Sequence, residues 1–312
     1  MRIFYNEKGK HIVIIRMEPY WTSWGHFLSN DLAECDVQLS LVRIPEKVNL
    51  PTLLRIDGIY YDADTDYNTR NSGISLANSI ADGVVYQSTY SKTLCEKFLA
   101  PRKKGAIVNV IYNGIDKDWC GKRVDHSGIN IVVVSKWRRH KRLQEIIDIF
   151  LHYLRTVPNS TLHIVGKLHD NKPVKHPAIV YHNMVDRSVL GKILNEADFS
   201  IHLSKRDSCP NSVVECIGAG IPVITTDKCG GATEMCLMSE GCIVCEGDFD
   251  NDFEAAYPYR DEFNIITPKL KENILSAMIR LARSKVICEL PKQLTAEYMA
   301  REYIKVMEEI TK

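Results

Sequence analysis

The sequence is short of several features that would each point to a function. No apolar run approaches the roughly 18 consecutive residues that a membrane-spanning helix needs, so no spanning helix is expected. No G-x-G-x-x-G follows a strand pattern, which argues against a dinucleotide-dependent dehydrogenase. Charge bias is missing too. Forty Lys and Arg face 39 Asp and Glu, for a formal net charge of +1, so no global field argues for nucleic acid as a partner. The opening residues MRIFYNEKGK are too polar for a signal peptide. The ten cysteines are scattered, and reduced thiols in a cytoplasmic setting are expected. Among Cys229, Cys236, Cys242 and Cys245 there is one C-x2-C pair. Zinc sites usually show two, so buried free thiols and no metal site are expected. Internal repeats and low-complexity tracts are also absent.

What is present is an alternation of short apolar runs and amphipathic stretches. At 312 residues the chain suits two domains of about 150 residues each. In the first half, strands are expected at His11–Met17, Val37–Val42, within Leu50–Tyr61 ending near Arg55, at Gly83–Gln87 and at Ile107–Ile111. Helices are expected at Trp24–Glu34, Asn71–Asp82 and Ser91–Leu99, with Ser88 as a cap; Asn113-Gly114 reads as a turn. The polar, apolar-poor stretch Asp116–Asn130 reads as a linker. A second series follows, with strands at Ile129–Val134, Thr161–Val165, Ile179–His182, Phe199–Leu203 and Ile221–Thr225. Helices alternate with them at Leu143–Arg155, Ser188–Glu196 and Ser212–Ala219, and two more close the chain at Pro268–Arg283 and Leu294–Ile310. Asp248–Arg260, acidic and aromatic, reads as an irregular insertion. The alternation predicts an α/β protein with parallel sheets and helices on both faces. Its expected domains are 1–124, short for its class, and 125–290, with a final helix in 291–312.

Candidate chemistry concentrates in Ser204–Thr226, SKRDSCPNSVVECIGAGIPVITT. A strand, a polar loop, a helix start and a second strand follow in order. The start of such a helix presents unpaired N–H groups and partial positive charge, which favour phosphate. Asp207 lies in the loop and Glu215 eight residues on, so both can reach one ligand whose phosphates sit at the helix end. Earlier, VVVSKWRRHKRL places Lys136 and Lys141 just past a strand. Two cations there can neutralise a diphosphate leaving group, although most short basic runs are merely solvated faces.

These stretches carry a resemblance. VVVSKWRRHKRLQEIIDIF resembles the "GR…KG…LL…F" segment of family 4 glycosyltransferases, and SKRDSCPNSVVECIGAGIPVITTDKCGGATE resembles their "S…EGFPN…LEAMA.G.PVV.T..GG..E" block. VYHNMVDRSVLGKILNEADFSIHLS, ADGVVYQSTYSK and VIYNGID resemble neighbouring segments of the same family. The likeness is strong from Ile131 to Glu234 and from Ala81 to Asp116, and weak over the first fifty residues. It implies two Rossmann-like domains facing across a cleft, the GT-B architecture, and a retaining, metal-independent enzyme. Such an enzyme moves a hexose from a GDP- or UDP-linked sugar to a hydroxyl of a glycan, glycolipid or glycoprotein.

By the same resemblance, Lys136 and Lys141 hold the donor diphosphate, Asp207 faces the donor sugar and Glu215 binds the ribose. Ser135, Gly166, Ser208, Pro210, Asn211 and Ser212 complete the donor set, and Gly230-Gly231 with Glu234 match the following glycine loop. The final helix is expected to cross back onto the first domain. Some positions depart from the family. Asp207 stands for Glu, one methylene shorter. Lys136 stands for Arg, keeping the charge but losing the planar fork. Ser135 stands for Gly, and the first-domain His is missing from its usual setting. Arg55, Asp57 and His26 are the acceptor-side candidates. Beside those roles, Asp57 also reads as a plain turn aspartate before Gly58, and His26 as a structural histidine. Tyr60, Tyr61, Tyr67 and Tyr86 read as core before they read as an acceptor groove, and Arg102-Lys103-Lys104 as an exposed loop before a peripheral membrane contact. No cofactor is implied. Two rival functions stay open: a non-catalytic nucleotide-sugar-binding subunit, and a GT-B-fold sugar-nucleotide epimerase.

Overall fold

Short β-branched runs alternating mostly with helices favour parallel pairing, because parallel strands need a crossover connection. Every strand pair in the computed structural model of the chain is parallel among the described residues. Those residues are 1–6, 9–61, 66–117, 119–169, 171–249 and 265–312. They form two units, one of Met1–Ile115 with Lys292–Lys312, the other running from Asp116 to Pro291.

In the first unit the elements are β1 (Arg2–Phe4), α1 (Ile12–Ser23), β2 (Phe27–Ser29), β3 (Val37–Leu41), β4 (Thr52–Ile56), α2 (Tyr67–Ile80), β5 (Gly83–Tyr86), α3 (Thr89–Phe98) and β6 (Ile107–Val110). The strand order is β2-β1-β3-β4-β5-β6. Two expectations fail here. His11–Met17 is not a strand but the cap and first half of α1. The apolar run HIVIIRM could not separate a buried strand from a buried helix, because both faces of the run are apolar. The spacing of what is buried settles it: Val13, Ile14, Met17 and Trp21 lie on one helical stripe. Trp24–Glu34 is not a helix but a turn, β2 and a 3-10 turn at Leu32–Glu34. With β1, also unforeseen, the unit has a full six-stranded sheet rather than a shortened one.

The α1 stripe packs on Met299, Ala300, Tyr303 and Met307 of the C-terminal helix, Ala296–Ile310. The Trp21 indole donates to the Ala300 carbonyl at 2.9 Å. Gly114 is needed for closeness rather than for a turn. A Cβ there would stand 2.4 Å from the Thr295 carbonyl oxygen, where Ile115 bridges Thr295 just before that helix. Ser88 caps α3 by accepting from the Ser91 N–H, as expected.

In the second unit the elements are β7 (Ile129–Val134), α4 (Leu143–Tyr153), β8 (Ser160–Val165), β9 (Ile179–Asn183), α5 (Arg187–Asn195), β10 (Phe199–His202), α6 (Asn211–Gly218), β11 (Val223–Thr226), α7 (Gly231–Met238), β12 (Ile243–Cys245) and α8 (Pro268–Ser284). The strand order is β12-β11-β10-β7-β8-β9. The chain therefore works outward from β7 in one direction and then restarts at β10 on its other side. Loops leaving β7 and β10 diverge at that switch point, where open α/β sheets bind ligands beyond the strands' carboxyl ends. The core under this edge is Ile131, Val133, Phe150, Ile164, Phe199 and Ile201, with Leu270, Ile274 and Met278 of α8. Neither α7 nor β12 is legible in the sequence. The helix opens on two glycines with no side-chain cap, and the strand is three residues long.

Candidate functional site

Two loops meet at the switch point of the second sheet. After β7 the chain makes a 3-10 turn, Arg139–Lys141, and enters α4 through Arg142 in the left-handed conformation, φ 55°. After β10 it runs through Ser204–Asp207 to α6. The Lys205 N–H donates to the His140 carbonyl at 2.9 Å, which ties the loops together. That contact brings Lys141 and Asp207, 66 residues apart, into a direct ion pair. The Asp207 carbonyl accepts the Gly231 N–H at 2.8 Å, so the glycine loop that opens α7 braces the same residue.

A histidine that the sequence did not single out completes this group. His202, the last residue of β10, places Nε2 3.4 Å from the same Asp207 oxygen that Lys141 holds. Burial pushes the His202 imidazole below its ordinary pKa, with Asp207 pulling the other way. Burial alone would raise the Asp207 carboxyl, but Lys141 and His202 hold it far below the usual carboxylate range. His140, buried beside Lys141, is pushed down to about 3, by burial first and by Lys141 next. The site thus holds one carboxylate, one ammonium and two histidines kept neutral.

A second, fully buried cluster holds both loops in place. Arg142 grips Asp248 with two donors at 2.7 and 3.0 Å. Lys205 stands 3.2 Å from the same carboxylate, and the Thr226 hydroxyl donates to it at 2.6 Å. The Arg142, Lys205 and Asp248 side chains have no exposed surface. Arg142 is the neighbour of Lys141, and Lys205 lies two residues before Asp207. Asp248 therefore fixes the roots of both site residues from beneath. Asp248 opens the stretch read as an irregular insertion, and it has no regular structure up to 249; from 250 that stretch lies outside the described residues.

The remaining candidates sort by place. Lys136, one position beyond Ser135 at the end of β7, is exposed and not part of the Lys141–Asp207 pair. Asn211 and Ser212 begin α6 behind Pro210, whose cap position makes no side-chain hydrogen bond. Ser208 stands in the loop before it. Glu215 is half-buried on α6, and its carbonyl accepts the Trp119 indole N–H at 2.8 Å. Gly166, after β8, sits at φ 114°, and a Cβ there would lie 1.8 Å from the Ser135 carbonyl oxygen. Gly166→Ala is expected to push the Ser135–Lys136 turn out of place and to weaken donor binding at least tenfold, read by calorimetric titration with a nucleoside diphosphate. Binding within twofold of the parent would show that this approach does not matter.

At the carboxyl edge of the first sheet, Arg55 is buried and pairs with Asp57. It also donates to Asn113 at 3.0 Å. His11 caps α1 through Nδ1 and places Nε2 4.0 Å from Asp57. Asp57 is thus held by a buried arginine, not merely carried by a turn. His26 does not join this group. It sits in the turn before β2, at the opposite edge of the sheet, where Phe27 N–H meets the Met1 carbonyl. Tyr86 is core, Tyr60 lies under Arg70, and the Tyr67 side chain is outside the described residues. Arg102 and Lys103 pair with Glu96 and Asp82 at 2.7 and 2.5 Å. All ten cysteines are free, and no group of three or more His, Cys, Asp or Glu could hold a metal ion among the described residues. No helix among them is long and apolar enough to cross a membrane.

Residues 128–257, less than half of the chain, match the family described as Glycosyl transferases group 1. No curated protein matches the chain by sequence. Among solved structures, Anabaena HepE in complex with UDP-glucose is similar with a TM-score of 0.63 at 14% identity, over 99% of this chain and 97% of that one. WaaG, a glycosyltransferase involved in lipopolysaccharide biosynthesis, is similar with a TM-score of 0.59 at 13% identity, over 100% and 98%. The GtfA/B complex gives 0.60 at 11% identity, over 84% of this chain and 53% of that one; the chain spans about half the length of that relative and of TarM. The second unit matches the group 1 glycosyl transferases by sequence, and the chain as a whole has the GT-B fold.

Proposed function

We propose that the chain is a retaining glycosyltransferase. It takes a hexose from a UDP- or GDP-linked sugar and passes it to a hydroxyl of a glycan, glycolipid or glycoprotein acceptor, with no metal ion. The observation that carries this reading is the Lys141–Asp207 pair at the switch point of the second sheet, in the loop that leads into α6. Lys141 has three N–H donors, so it can keep Asp207 and bind a phosphate oxygen at once. As the sugar–phosphate bond breaks, negative charge grows on the diphosphate. Lys141, the exposed Lys136 and the amides at Asn211 and Ser212 are assigned to stabilise it. Asp207, charged because Lys141 and His202 hold it so, accepts hydrogen bonds from the sugar hydroxyls. Glu215 takes the ribose, and Ser135, Gly166, Ser208 and Pro210 shape the floor. Arg55 and Asp57 are assigned to the acceptor, with His11 as the histidine nearest them. HepE, of the same fold, was solved with UDP-glucose, which supports a nucleotide-sugar donor here.

The test is a donor panel. The full chain is incubated with UDP- and GDP-hexoses and mixed glycan and lipid-linked acceptors, and nucleoside diphosphate release is followed with and without EDTA. Release from at least one donor, unchanged by EDTA and giving product with the donor's anomeric configuration by NMR, is the expected result. A folded sample that neither transfers nor hydrolyses any donor overturns the reading, and an inverted product overturns the retaining step alone.

A further inference from the structure

Three thiols, Cys236, Cys242 and Cys288, come together from separated segments, with Cys216 of α6 near enough to act on Cys288 electrostatically. Cys236 lies in the last turn of α7, Cys242 stands just before β12, and Cys288 follows α8. The Cys242 and Cys288 sulfurs stand 3.6 Å apart. Their backbones run side by side: a Cβ on Gly241 would be 3.4 Å from the Cys288 Cα, the Glu289 N–H meets the Glu240 carbonyl at 3.4 Å, and the Cys288 N–H meets the Gly220 carbonyl at 2.9 Å. A disulfide needs its two Cα atoms within about 7 Å; these backbones adjoin, and the sulfurs would have to close from 3.6 Å to bonding distance. The two sulfurs differ in what they can do. Cys242 is half-buried, while Cys288 is 4% exposed. The Val223 N–H donates to the Cys242 sulfur at 3.3 Å, a contact that favours thiolate. Hydrogen bonds from Cys236 and then Cys288 also pull the Cys242 thiol down, whereas the bond to Cys242 and then burial push the Cys288 thiol up. A half-buried cysteine whose thiol is pulled down thus stands against a sheltered one whose thiol is pushed up, so Cys242 is the better attacking thiolate of the two.

We propose that Cys242 and Cys288 form a reversible disulfide, made by exchange with a small-molecule disulfide such as glutathione disulfide. The Cys242 thiolate attacks one glutathione sulfur, and the other leaves as a thiolate. Cys288, giving up its proton to that departing thiolate, then attacks the Cys242 sulfur and expels the second glutathione. Two protein thiols become one disulfide, and one glutathione disulfide becomes two glutathione thiols. The bond joins the start of β12 to the segment Val286–Pro291, which leads out of α8. Reduced, that segment is held by two backbone hydrogen bonds, at Gly220 and Glu240; oxidised, it is fastened covalently. The closed loop would hold the residues from 242 to 288, long enough for the constraint on the unfolded chain to be sizeable.

The experiment treats the reduced full chain with glutathione disulfide at neutral pH and reads intact mass, a non-reduced peptide map and the melting temperature. The expected result is a product lighter by two hydrogens, a peptide joining Cys242 to Cys288, and a melting temperature higher by about 5 °C or more. Cys288→Ser is expected to stop at a stable glutathione adduct on Cys242, and Cys242→Ser to block both steps. Three results on the unmutated chain overturn the proposal, and none depends on the variants folding: no loss of thiols, a lasting glutathione adduct on Cys242, or a bond from Cys242 to Cys236.

Discussion

Asp248→Ala loses about 3–5 kcal/mol of stability, the cost of leaving a buried charge without its partner. The side chains of Arg142 and Lys205 are fully buried, and both depend on this carboxylate. Its removal takes the carboxylate from two buried cations, leaving Lys205 only neutral contacts such as the Phe249 carbonyl, and strips the Thr226 hydroxyl of this acceptor. A surface pair such as Lys305–Glu302 offers a contrast, since such pairs contribute about 0–1 kcal/mol. Denaturant unfolding of Asp248→Ala and Glu302→Ala in parallel separates the two cases. A loss under about 1 kcal/mol for Asp248→Ala would mean that water or a rearranged loop satisfies the cations, and the clamp beneath the site would be an illusion. The pH dependence runs the same way. Burial tends to raise the Asp248 carboxyl, but Arg142 and Lys205 hold it below its ordinary value. A depressed carboxyl contributes stability above the unfolded-state pKa, about 3.9, and that contribution fades as pH falls toward the folded value. The parent therefore loses stability on acidification below about pH 4 that Asp248→Ala no longer has to lose.

How much of this was legible beforehand differs by region, for physical reasons. In the second unit, apart from α7 and β12, apolar runs of four to six residues alternate with helices that have one buried stripe, so period and length agree and the elements fall within a few residues of their expected places. In the first unit, α1 is apolar on most of its surface, because one side packs the sheet and another the C-terminal helix. Its period is thereby erased, and the neighbouring segment was misread with it. The site divides similarly. Lys141 and Asp207 stood in motifs, and their spacing marked them. His202 and Asp248 did not, because a buried polar residue looks in sequence like an interruption of a strand or a loop. Only the contacts reveal that one meets Asp207 and the other anchors the neighbours of both site residues. His26 failed for the opposite reason, being near a resembling loop in sequence but at the wrong edge of the sheet.

Under the proposed function, Lys141→Met lowers kcat/KM for donor by about 10²–10³-fold, the range found when one preorganised charge-stabilising group is removed. Asp207→Asn gives a loss of the same order. Lys136→Ala costs less, about tenfold, because an exposed ammonium is screened by water. The double variant Lys141→Met with Asp207→Asn should be no worse than the poorer single variant, because the pair acts as a unit and groups in contact do not add. Lys141→Met also has a signature that mere loss of structure cannot mimic. With the ammonium gone, the buried Asp207 carboxyl keeps only His202 against its desolvation, so its pKa climbs from far below the ordinary range. The acid limb of the kcat/KM profile then moves to higher pH, while in the parent it lies below the accessible range. Additive losses in the double variant, or an acid limb that stays in place in Lys141→Met, would mean that the pair does not face the donor and that its contact is structural. Lys136 would then be the cation to test next, since it alone of the two lysines is exposed and outside the buried group.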